Sequence, residues 1–72
     1  MKTYRNIDGD SGVKTYEYGS DYIKVQFSTD EPYLYTYERA GKSNIEQMKK
    51  LADSGEGLNA FINTHVRKLF VP

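Results

Sequence analysis

A change of hydrophobic period near Arg39 constrains this chain more than any other feature. Before it, β-branched and aromatic side chains alternate with polar ones. After it, apolar side chains return at the three- and four-residue spacing of a helix. Strands first and helices second predict an α+β fold: a small two-layer domain with a three- or four-stranded antiparallel sheet followed by two helices packed on one face. With 72 residues there is room for one domain and a thin core, since a chain of this size buries only roughly 60% of its unfolded surface.

Three strand segments precede the switch. The first covers Val13–Tyr18 and the second Tyr22–Phe27, with Gly19-Ser20-Asp21 as the hairpin loop between them. Alternation in the second sets Ile23, Val25 and Phe27 against Tyr22, Lys24 and Gln26. A turn over residues 28–32 keeps Pro32 outside the ladder, and the third strand, residues 33–38, places Tyr33, Tyr35 and Tyr37 on one face. Residues 1–10 read either as an extra edge strand or as a loose arm, with a loop over residues 8–12; residues 11–72 form the domain.

In the second half, Ser43 followed by Glu46 has the spacing of a capping box, and Ile45, Met48, Leu51 and Ala52 form an apolar stripe. Gly55 is the expected helix stop. A second helix over residues 57–69 turns Leu58, Phe61, Ile62, Val66 and Leu69 inward, and Arg67 and Lys68 near its end suit the helix dipole.

Composition removes several chemistries. The chain has no cysteine, so disulfides, zinc-thiolate sites and thiol catalysis are excluded. Asp8-x-Asp10 opens like a calcium loop, but the twelfth position, where a bidentate acid is required, is Gly19, and the sixth is Val13. His65 is the single histidine and has no companion for a triad, so no cofactor, metal or catalytic role is assigned, and the chain reads as not an enzyme. Without an apolar run of membrane-spanning length or a secretory leader, a cytoplasmic setting is expected. Ten basic and ten acidic side chains cancel, yet unevenly: residues 1–38 carry four basic against seven acidic groups, and residues 39–72 six against three. The second half is mildly basic, well short of a dedicated nucleic-acid binder.

The sheet segment Tyr16-Glu17-Tyr18-Gly19, the strand Ile23-Lys24-Val25-Gln26-Phe27, the central Tyr35-Thr36-Tyr37, and Ala52-Asp53-Ser54-Gly55 with Leu58-Asn59 and Ile62 stand in an order that resembles the KTSC domain. This short module is named for its occurrence at the C-terminus of some lysyl-tRNA synthetases. The resemblance runs from about Ser11 to Phe70. It is divergent: the family's Val-Pro pair after Tyr-x-Tyr is replaced by Arg39-Ala40-Gly41-Lys42, and Gly57 stands where an aromatic is usual. It implies a small sheet followed by helices, and a stand-alone bacterial or phage protein or a module with an RNA association.

The candidate binding residues are Tyr35, Tyr37, Arg39, Lys42 and Lys49. The tyrosines either stack bases on an open face or, as is commoner, pack beneath the helices. The basic residues meet phosphates or an acidic partner, or form an ordinary solvated surface, with Lys49 and Lys50 on the polar side of the first helix. Zero net charge and seven tyrosines favour a non-catalytic module binding a protein partner, in one version a phage or mobile-element protein docking on a host complex. The alternative is an RNA or single-stranded nucleic-acid binder. Self-association through a strand edge is a third reading.

Overall fold

The computed structural model describes residues 2–5, 7, 12–27 and 32–71. Four strands, β1 (Lys2–Thr3), β2 (Val13–Tyr18), β3 (Tyr22–Phe27) and β4 (Tyr33–Thr36), form one antiparallel sheet in sequence order. After them come α1 (Tyr37–Ala40), α2 (Lys42–Ser54) and α3 (Leu58–Phe61), the last running into a π-helical turn at Ile62–Val66. The fold is the expected α+β arrangement. The expected loop over residues 8–12 and turn over residues 28–32 fall, apart from Gly12 and Pro32, outside the described residues.

Register decides which side chains face the helices. Tyr16 and Tyr18 stand opposite Val25 and Ile23, and Tyr33 and Tyr35 stand opposite the same two residues from the other side. Ile23, Val25, Tyr16 and Tyr35 are buried. A bulge between Val13 and Thr15 inserts one residue, so Val13 joins Tyr16 in the core although simple alternation would separate them. The helices complete the core with Ile45, Met48 and Ala52 from α2, Leu58 from α3, and Ile62 and Val66 from the π-turn. Burial of each of these side chains other than Ala52 stabilises by roughly 1.5–3 kcal/mol relative to exposure.

Three local expectations are corrected. First, β4 stops at Thr36: the Thr36 hydroxyl accepts the Arg39 N–H at 3.1 Å and caps a helical turn, while the Tyr37 N–H turns to the Asp21 carbonyl. Tyr37 therefore leaves the face it would share with Tyr33 and Tyr35. Second, α2 begins at Lys42 behind Gly41, which has φ +94°, so Ser43 lies inside the first turn and caps nothing. Glu46 has a phenol and an ammonium group within reach, and such charge-assisted bonds outcompete a capping-box contact to a backbone N–H. Third, the second helix is interrupted. The Thr64 hydroxyl donates to the Ala60 carbonyl four residues back, competing with the regular backbone bond where the turn widens. The chain leaves the helix after this turn, and Leu69, expected inside, is 40% exposed.

Residues 2–5 and 7 act as both strand and strap. After β1, Tyr4 is buried and its hydroxyl accepts the Leu58 N–H at 3.2 Å, standing in for an N-cap side chain on α3. Arg5 donates to the Asp53 carbonyl, and the Ile7 N–H to the Gly55 carbonyl at 2.7 Å. Gly55 ends α2 in the left-handed conformation at φ +83°, and a Cβ there would stand 2.7 Å from Cβ of Arg5. At the opposite edge of the sheet, the Val71 N–H donates to the Leu34 carbonyl at 2.7 Å.

Candidate functional site

Two polar networks line the seam between β2 and α2. In the first, the Tyr16 hydroxyl donates to Oδ1 of Asp53 at 2.8 Å and the Tyr18 hydroxyl to Oδ2 at 2.6 Å. Inward-facing positions two apart on β2 bring both phenols to one carboxylate in the last turn of α2. Burial, reinforced by this bond, pushes the Tyr16 phenol up to about 12. The bond to Asp53 also raises Tyr18. In return, the phenols of Tyr18 and Tyr16 hold the Asp53 carboxyl below its usual range.

In the second network, Oε2 of Glu46 accepts from Lys49 Nζ at 2.7 Å and from the Tyr37 hydroxyl at 2.6 Å. Lys49 also donates to the Ser20 carbonyl in the hairpin loop, at 3.1 Å, and its ammonium lies 5.5 Å from the Tyr18 ring centre and 5.7 Å from that of Tyr37. Lys2 approaches Tyr18 as well, at 5.6 Å. The Lys49 bond lowers Glu46, and the Glu46 bond raises Tyr37. Every shift here moves its group away from neutrality. These networks bind β2, the hairpin loop and α2 together.

The five candidate residues are dispersed. Tyr35 lies in the core, 2% exposed, with its ring 6.4 Å from that of Phe70, so neither ring face is open for stacking. Tyr37 and Lys49 are drawn together by Glu46. Lys49 departs from the solvated position expected of it, since its side chain is 13% exposed. Arg39 and Lys42 are exposed on either side of Gly41. Asp53 is the shared acceptor of two tyrosines from one strand, β2; nothing in its local spacing signals this, because both donors are more than thirty residues away. His65 is exposed and stacked on Phe61 at 4.2 Å. Among the described residues, no three of His, Cys, Asp and Glu are grouped to hold a metal ion.

The outer face of the sheet carries Thr15, Glu17, Tyr22, Lys24, Leu34 and Thr36, none of them buried. A shallow depression of about 260 Å³ lies there, lined by Asp21, Tyr22, Lys24, Leu34 and Thr36. Tyr22 lies over Gly19: a methyl group at that position would come 2.5 Å from Cε1 of the ring. Among the described residues, no helix is long and apolar enough to cross a membrane. Comparison with protein-family models, curated proteins and solved structures returns no match.

Proposed function

We propose that this chain is a non-catalytic, KTSC-like binding module that works in the cytoplasm by docking the outer face of its sheet on a protein partner, in the manner of a small phage or mobile-element protein on a host complex. The observation that supports this is the Tyr22 surface. An aromatic ring, an aliphatic side chain (Leu34), a hydroxyl and one charge of each sign (Asp21 and Lys24) share a shallow depression that none of the buried helix residues covers. Mixed polarity around an aromatic anchor suits a protein surface, whereas a phosphate backbone would call for a one-signed groove. The nucleic-acid alternative draws on exposed Arg39 and Lys42, and it lacks the aromatic platform that Tyr35 and Tyr37 would have to supply.

The test is affinity capture from native bacterial lysate, with and without nuclease, comparing the wild type with Tyr22→Ala and Lys24→Glu. A protein that survives nuclease and is lost from the Tyr22→Ala eluate is the expected result; an anchor of this kind contributes about 2 kcal/mol or more. Capture that disappears with nuclease, or eluates identical for wild type and both variants, would overturn the reading.

A further inference from the structure

A separate groove opens at the other end of the inner face, where β3 and β4 meet the π-helical turn and the C-terminal segment. Its volume is about 210 Å³. Phe27, Tyr33, Phe70 and Ile62 make its apolar wall, with the Tyr33 ring 5.7 Å from Phe27 and 4.8 Å from Phe70. Its remaining lining residues are Tyr35, Asn63 and Arg67, and no carboxylate is among the described residues that line it.

Two observations give the groove a chemical direction. Arg67 lines the groove and forms no ion pair with any carboxylate among the described residues. The second concerns Tyr35, which is 98% buried by the complement of its 2% exposure and whose hydroxyl has no hydrogen-bond partner in the protein. No buried side-chain oxygen is left unsatisfied among the described residues, so this hydroxyl meets open space, and the groove that Tyr35 lines supplies it. Burial pushes the phenol up to about 12, which keeps it a donor across the physiological range. Guanidinium, amide and phenol donors beside an aromatic wall form a receptor for one negative charge attached to one apolar group.

We propose that this groove binds a small apolar carboxylic acid, its ring or chain against Phe27, Tyr33 and Phe70 and its carboxylate on Arg67, Asn63 and the Tyr35 hydroxyl. Size sets the class. A cavity of about 150 Å³ holds a benzene ring, so a groove of about 210 Å³ has room for one ring with a short acid tail. The site is distinct from the outer sheet face and stands or falls independently of it.

The test is an amide-resonance titration of the full chain with 3-phenylpropionate and, in parallel, with the neutral 3-phenylpropionamide. Saturable shifts at Tyr33, Asn63, Arg67 and Phe70 are expected, with a Kd on the order of 1 mM or tighter and the amide bound about tenfold more weakly. Arg67→Gln, on an exposed side chain, should bring acid and amide to about equal affinity, and Tyr35→Phe should weaken the acid by about threefold. Absence of saturable shifts, equal binding of acid and amide by the wild type, or undiminished discrimination in Arg67→Gln would each overturn the proposal.

Discussion

Tyr18 on β2 donates a 2.6 Å hydrogen bond to Asp53 at the end of α2, and the same carboxylate receives Tyr16. Asp53→Ala removes the acceptor of both phenols and leaves the buried Tyr16 without its partner. Bonds to a charged group are worth about 1.5–3 kcal/mol when shielded, and the exposure of Asp53 reduces this. The expected loss is about 1–2 kcal/mol, measured by urea denaturation at neutral pH.

The acid dependence follows from the same carboxylates. Asp53 and Glu46 both have folded pKa values below their unfolded ones. The stability they contribute is present above the ordinary carboxylate pKa of ~4 and is lost as pH falls through the lowered folded values. Thermal melts should show Tm falling on the acid side of that window, and falling less steeply in Asp53→Ala.

On the alkaline side the sign reverses. The phenols of Tyr16 and Tyr35 rise to about 12 in the fold, against ~10 in the unfolded chain. Their contribution is complete below pH ~10 and disappears as pH climbs through about 12, because the unfolded chain releases these protons first. Phenolate absorbance should reveal a late-titrating class that appears together with loss of circular dichroism. Tyr35→Phe should shrink that class.

Gly55→Ala places a Cβ at φ +83° and 2.7 Å from Cβ of Arg5. The left-handed conformation alone costs about 1–2 kcal/mol for a residue with a side chain. The clash adds to it, for a total of roughly 2–4 kcal/mol. Hydrogen exchange should show the Ile7 amide, bonded to the Gly55 carbonyl, losing protection before the amides of β3.

Met48 is 0% exposed in the middle of α2. Met48→Ala should cost about 2–5 kcal/mol and Met48→Leu less than about 1.5 kcal/mol. In a chain of this size, whose whole stability is on the order of 4–11 kcal/mol, the alanine variant should melt far below the leucine variant in calorimetry.

What was legible in the sequence was whatever local pattern controls. Val13–Tyr18 and Tyr22–Phe27 are strands at the expected positions, and Gly55 closes α2 because a helix end needs a left-handed residue. Ile45, Met48 and Ala52 are buried as their spacing requires. The departures occur where a side chain chooses a distant partner. Tyr37 continues the strand pattern of Tyr33 and Tyr35, but the Thr36 cap and the Glu46 carboxylate draw it into a helix. Lys49 has helix-surface spacing, yet the Ser20 carbonyl and two aromatic rings lie where its chain can reach them. The bonds of Tyr4 and Ile7 go to Leu58 and Gly55, and no periodicity announces them. The candidate sites share this origin: Tyr22 gains meaning from the sheet's orientation, and Arg67 from its place beside Phe70.

The bond from Val71 to Leu34 also has a meaning in time. A chain is made from its amino end, so β4 leaves the ribosome long before Val71, whose amide bonds to its outer edge. Until Val71 emerges, the hairpin of β3 and β4 waits with a bare row of carbonyl and amide groups while the helices are still being made. Val71, made long after β4, thus covers a carbonyl of an edge that the nascent sheet leaves open until then.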